Sequence, residues 1–260
     1  MAESVARSST TSGTSAAKRP ASKRSGSVKT PLELRGGRPA ERQVGALLGE
    51  LARLAEMSAV ERSLREEGFR SIAGTDEVGR GCLAGPVVAA AVILPGDVLP
   101  GVTDSKLVAT PEQRCRLASI VMREALAVGI GVVEAETIDR INILRASKVA
   151  MRIAVENLQR RPDVLLVDAI VIDSLHIPQV PLIEGDRRSV SIAAASLVAK
   201  VYRDLLMEAY DRCYPHYDFA NNRGYGTESH LKAMERFGPT PIHRRSFEGV
   251  GDPMLFETGH

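Results

Sequence analysis

Ile72-Ala-Gly-Thr-Asp76-Glu77-Val-Gly79-Arg80-Gly81-Cys82-Leu-Ala-Gly85-Pro86-Val-Val-Ala-Ala-Ala-Val-Ile-Leu-Pro95 places two apolar runs on either side of two adjacent acids and a glycine-arginine-glycine turn. The apolar runs predict buried strands. Two acids between such strands are costly unless a cation or hydrogen bonds compensate them. The glycines let another backbone, or a phosphodiester, approach closely. The combination reads as a metal-dependent site for nucleic acid.

Outward from this stretch the chain alternates. Strands are predicted at 70–77, 86–94 and 126–134, with a short buried strand at Val164 to Asp168 and an extended piece at Val180 to Ile183. Thr110-Pro111-Glu112 predicts a helix start, with a capping hydroxyl and proline at the first position. Further helices are expected at 136–159, from Ser189 to about Tyr214, and at about 227–236. Strands first, then helix alternating with strand, indicate an α/β fold: a mixed sheet flanked by helices, with a helical C-terminal extension.

The 260 residues suffice for one sizeable domain with appendages. Residues 1–44 are rich in Ser, Thr, Ala, Gly, Lys and Arg and nearly devoid of large apolar residues, and are expected to be a disordered basic tail. A helical segment at 45–68, a catalytic body at 69–250 and a short tail at 251–260 complete the expected organisation. Net charge is +2, but residues 1–45 hold nine Lys/Arg against three Asp/Glu, and the remainder 25 against 29. The body is therefore not basic, and bulk charge does not make it a nucleic-acid binder. Aromatics at 4% with no Trp exclude a broad base-stacking platform. Cys82, Cys115 and Cys213 are too scattered for a zinc site or a disulfide framework. No apolar run is long enough to span a bilayer and no secretory signal is evident, so a cytoplasmic protein is expected.

Four carboxylates stand where an acid is hard to explain structurally. Asp76 and Glu77 close the first strand, Asp168 ends Val-Leu-Leu-Val, and Asp204 shares a helix face with Leu197 and Val201. Converging acids need neutralising cations, and hard oxygen ligands suit Mg²⁺ or Mn²⁺. Adjacent strand residues point to opposite faces, so Asp76 and Glu77 share a site only if the strand twists or ends there. The plainer alternatives are solvated strand-end acids at 76 and 77, a turn or cap at Asp168, and an ion pair of Asp204 with Lys200.

The first block, with Asp104-Ser105-Lys106, Leu166-Val167-Asp168, Gly185-Asp186, Ser191-Ile-Ala-Ala-Ala-Ser196, Ala199-Lys200-Val201-x-Arg203-Asp204, Gly224-Tyr225-Gly226-Thr227 and His243-Arg244-x-Ser246-Phe247, resembles ribonuclease HII, the bacterial type 2 RNase H. The resemblance covers about residues 60–248. It implies an RNase H-like fold, endonucleolytic cleavage of RNA in RNA–DNA hybrids, and incision 5′ to a single ribonucleotide in duplex DNA, leaving 5′-phosphate and 3′-hydroxyl ends. It also implies Asp76, Glu77, Asp168 and Asp204 as ligands of two divalent ions. Gly79, Arg80 and Gly81 match the motif that meets the ribonucleotide 2′-hydroxyl, and Tyr225 the tyrosine that senses the RNA–DNA junction. Lys106 and Lys200 are expected near the phosphates or the ions. A monomer without an obligate protein partner is expected.

Departures from the family pattern are Cys82 for a frequent Pro, Glu184 for a frequent Lys and Arg223 for a common Lys. Asp173 competes with Asp168 as a ligand by its distance from the strand, and Asp168 is favoured because the family usually has no acid at the other position. His243 and Arg244 are expected to steady the C-terminal segment. A catalytically silent hybrid-binding protein of the same fold is the competing functional reading.

Overall fold

The computed structural model describes residues 39–96 and 110–250. The expected tail at 1–44 falls mostly outside these residues, and Lys106 and the tail at 251–260 lie wholly outside them. The chain divides at Gly45 into two units, and the account below concerns Ala46 onward. Two helices precede the sheet in sequence, α1 (Pro39–Met57) and α2 (Ala59–Glu66), separated at Ser58. Helix therefore begins before Gly45, the expected boundary. Leu54, Met57 and Leu64 are buried, whereas Leu47, Leu48 and Leu51 are exposed, so only part of the apolar stripe serves the core.

Five strands follow: β1 (Ile72–Val78), β2 (Val87–Ile93), β3 (Ala127–Val133), β4 (Val164–Asp168) and β5 (Gln179–Leu182). They form one sheet in the order β3-β2-β1-β4-β5. The first three are antiparallel, while β4 and β5 run parallel to β1. All seven residues of β2 are buried, because helices cover both faces of the sheet. On β2, Val88, Ala90 and Val92 meet α3 (Pro111–Glu124) and α7 (Val190–Cys213), and Ala89, Ala91 and Ile93 meet α5 (Ile143–Glu156). The small start of α7 lies directly on β1: a Cβ on Gly74 would fall 2.2 Å from the Ser191 carbonyl carbon. That close approach carries the α7 residues that follow toward the strand ends.

The helix expected at 136–159 is two helices, α4 (Ala135–Ile141) and α5. Asn142 between them has φ 68° and ψ 162°, a strained conformation for a residue with a Cβ, and its side chain caps α5 by accepting from the Arg145 N–H. Two short helices, α6 (Gly185–Arg188) and α8 (Phe219–Asn222), are additions to the sequence expectation. The final helix is α9 (Glu228–Phe237), capped by Thr227. It packs with Tyr217, Phe219, Ile242 and Met207 in a separate small core, the helical C-terminal part of the body.

Candidate active site

The site is built at the carboxyl ends of two parallel strands, where α/β sheets commonly bind ligands. Thr75 pairs with Val167, so the next step of the register sets Asp76 beside Asp168. Both line a cavity of about 500 Å³ with Glu77, Val78, Arg80, Arg114, Asp186, Ser196, Lys200 and Tyr225. A groove of about 560 Å³ bounded by α3, β3 and α7 is apolar and has no acid in its lining.

Each acid is held differently. Asp76 Oδ1 accepts the Glu77 N–H at 2.7 Å. Burial, reinforced by the charge of Glu77, pushes the Asp76 carboxyl well above its ordinary range, against a hydrogen bond to Ser196. Glu77 is also raised by burial, and Arg80, 3.2 Å away, opposes the rise. Asp168 Oδ1 accepts the Gly185 N–H at 2.7 Å, which ties the end of β4 to α6. The Oε2 of Glu77 is buried and has no hydrogen-bond partner. A cation would satisfy it, so the donor set fits a hard divalent ion. Among the described residues, no three His, Cys, Asp or Glu side chains are already gathered into an ion cage. Mutual repulsion keeps bare carboxylates from closing onto one point.

Asp204 is set apart. Its Oδ1 accepts from Lys200 Nζ at 2.6 Å and lies 3.9 Å from Arg223 Nε, and it does not line the cavity. The helical spacing of four residues produces the ion pair with Lys200. The structure thus brings Asp76, Glu77 and Asp168 together and holds Asp204 against two cations. Asp186, only 4% exposed, joins the cavity, although its sequence context gives it no role. Arg114 joins it from α3. Asp173 pairs with Lys148 at 2.7 Å and is largely exposed, away from the cluster.

The Gly79–Pro86 loop is fastened from behind by two buried arginines. Arg203 donates to the carbonyls of Ala84, Pro86 and Arg223 at 2.9–3.0 Å. Arg244 donates to those of Gly79, Arg80 and Gly85 at 2.7–3.0 Å. Gly79, at φ 91°, is required twice over, because a Cβ there would also fall 2.2 Å from Arg203 Nε. Cys82 is buried beneath the loop, and its thiol is the main cause that holds the Tyr225 phenol above its ordinary range. The sequence signals none of these arginine contacts, since their acceptors are backbone carbonyls.

An acid cluster at the strand ends of a five-stranded mixed sheet with helices on both faces defines an RNase H-like nuclease. A solved relative, ribonuclease H2 from Pyrococcus horikoshii, superposes with a TM-score of 0.60 at 25% identity, covering 72% of this chain and 98% of that one. Ribonuclease HIII from Bst in complex with Mn²⁺, at 19% identity and TM-score 0.57 over 72% of this chain and 70% of that one, shares the fold. The family model for ribonuclease HII matches residues 73–250. Ribonuclease HII of Caldanaerobacter subterraneus is 49% identical over 199 residues, 76% of this chain and 82% of that one. Ribonuclease HII of Bacillus subtilis is 53% identical over 195 residues, 75% of this chain and 76% of that one. The chain belongs to the ribonuclease HII family and is an endonucleolytic hydrolase of the type 2 RNase H class. No described helix is long and apolar enough to cross a membrane.

Proposed function

We propose that this enzyme cleaves the RNA strand of RNA–DNA hybrids and also cuts 5′ to a single ribonucleotide embedded in duplex DNA, leaving 5′-phosphate and 3′-hydroxyl ends. The observation that carries the reading is the set of mutually repelling acids in one cavity, buried Asp76 with partly buried Glu77 and Asp168, and one Glu77 oxygen unpartnered. Such a set costs stability and is retained for what it binds.

Asp76, Glu77, Asp168 and Asp204 would hold two divalent ions, Mg²⁺ or Mn²⁺. When bound, the ions supply charge neutralisation at the phosphate and a nucleophile from water at neutral pH. Asp204 holds Lys200 through Oδ1, and exchanging that contact on joining the others would free the lysine ammonium for a phosphate oxygen. Arg80, half exposed at the cavity rim, and Lys106 neutralise the backbone of the bound strand. Gly79, Arg80 and Gly81 meet the 2′-hydroxyl, the group that marks RNA at a single position. Gly81 supports this role: a Cβ there would meet no protein atom within 4 Å, so no internal contact requires a glycine. Tyr225, half exposed at the cavity, reads the junction.

The deciding experiment offers the protein, with Mg²⁺ or Mn²⁺, a duplex carrying one ribonucleotide and, separately, a long hybrid. Incision 5′ to the lone ribonucleotide is expected. Binding of both duplexes without turnover under either ion would replace this reading with the silent hybrid-binding protein.

A further inference from the structure

His230 on α9 and His243 in the segment that follows are buried at 0% and 2% exposure, with their Nε2 atoms 2.9 Å apart. Their protons can be placed. His243 Nδ1 accepts the Thr240 N–H at 2.9 Å, with the Thr240 hydroxyl at 2.8 Å. Burial, with the neighbouring His230, keeps His243 neutral down to about pH 4. Its single proton therefore lies on Nε2 and points at His230 Nε2. His230 is also held neutral by burial, so its proton lies on Nδ1 and is donated to the Tyr225 carbonyl at 2.8 Å. One tautomer set satisfies every contact: Thr240 to His243 to His230 to Tyr225.

The residue after His243 carries the other half of the arrangement. Arg244 donates to the carbonyls of Gly79, Arg80 and Gly85, and its own N–H bonds the Leu83 carbonyl. The two loops also touch, since the Leu83 and Ala84 N–H groups both donate to the Gly224 carbonyl. Two consecutive residues thus grip the two elements that the proposed function assigns to ribonucleotide recognition. The grip on Tyr225 runs through His230.

We propose that His243 and Arg244, with His230 as intermediary, are positioning residues that fix the separation between the Gly79–Gly81 turn and Tyr225, and that selection of a lone ribonucleotide depends on this separation. The inference rests on the reading of Tyr225 and the turn given above. A long hybrid presents a 2′-hydroxyl at every step and tolerates a displaced reader. A single ribonucleotide offers one register, and a displacement of about 1 Å at such a site can cost 100-fold.

The test compares kcat/KM on the single-ribonucleotide duplex and on a long hybrid. His230→Gln keeps a polar group toward His243 but loses the donor to Tyr225. His230→Asn places its amide at the Nδ1 position and keeps that donor. Arg244→Lys keeps the charge but cannot span three carbonyls. We expect His230→Gln and Arg244→Lys to lower cleavage at the lone ribonucleotide about tenfold or more, with a loss below about threefold on the hybrid. His230→Asn loses the acceptor facing His243 and should shift the ratio in the same direction as His230→Gln, because the link needs both ring nitrogens. A wild-type ratio in either His230 variant, or a parallel fall on both substrates, would make these residues ordinary core and overturn the proposal. Tyr225→Ala separates the two levels. If it leaves the ratio unchanged, the tyrosine reading fails and the relay loses its object. If it shifts the ratio while His230→Gln does not, only the relay fails.

Discussion

Two groups of buried or partly buried charged and titratable side chains lie near the Gly79–Pro86 loop, and they are finished to opposite degrees. In front, Asp76, Glu77 and Asp168 repel one another, two of them are pushed above their ordinary range, and one oxygen has no partner. Behind, Arg203 and Arg244 each donate to three carbonyls, and the His230–His243 pair satisfies every ring nitrogen. Buried charge is tolerated when it is fully hydrogen-bonded and costly when it is not. The rear group resembles structure that has nothing left to bind. The front group keeps an unpartnered oxygen, the capacity that the proposed ions would use.

The largest expected effect breaks the front. Asp76→Asn should lower cleavage by 10³-fold or more, measured with either ion, while hybrid binding survives, because a ligand is lost and the fold is not. The same change removes a desolvated charge beside two others. In the presence of chelator it should stabilise the protein by about 1–2 kcal/mol in urea unfolding. Loss of both activity and stability would mean that Asp76 belongs to the framework and that the contrast is misplaced.

Next in size is the converse change behind the loop. Arg203→Met or Arg244→Met strands three buried carbonyls in each case, and should destabilise by about 3–5 kcal/mol, read from the urea midpoint. The sign is opposite to that of Asp76→Asn, although all three remove a buried charge. A neutral outcome for either arginine would show that its carbonyls find water and that the rear group is not closed.

The front of the site was legible in the sequence and the rear only in part. Asp76, Glu77 and Asp168 interrupt or end apolar strands, and an acid in that setting stands out as a letter. The parallel register that puts Asp76 beside Asp168 follows from strand order, which no single segment states. Arg244 was expected only to steady the C-terminal segment and Arg203 stood in a family block without a role, because a buried arginine is rare and its carbonyl acceptors have no letter of their own. Asp186 stood in a family block without a role, because α6 is four residues long and has no periodicity to place it. The break at Asn142 was hidden by apolar spacing that continues across it, with Ile138 before it and Ala146 after it both buried.

pH separates the two groups by sign. His243 stays neutral in the fold down to about pH 4, whereas an unfolded histidine takes up its proton near 6.5. Between these values the unfolded chain binds more protons, so stability is complete above about pH 6.5 and falls as pH falls, by roughly 3 kcal/mol at most. His230, also lowered, acts in the same direction. The acids act oppositely: Asp76 and Glu77 are raised, so the penalty they impose at neutral pH is relieved as pH drops through their raised values. Urea midpoints with chelator between pH 7 and pH 4 should therefore fall less steeply in His243→Gln than in the wild type. They should fall more steeply in Asp76→Asn, which lacks the compensating gain. Parallel curves for all three proteins would dissolve the distinction.

The smallest expected effect tests whether position, rather than acidity alone, distinguishes the front group. Asp173 lies five residues beyond Asp168 and was its rival as a ligand on distance from the strand. It stands in solvent, with Lys148 holding its carboxyl below the ordinary range, first through a hydrogen bond and then through charge. An exposed pair of this kind contributes little, because water and salt screen it and two long side chains lose freedom in making it. Asp173→Asn should leave both cleavage and the melting temperature at wild-type values within error, whereas Asp168→Asn should abolish cleavage. If Asp173→Asn also removed activity, the ligand set would extend beyond the cavity, and burial would no longer tell a working carboxylate from a decorative one.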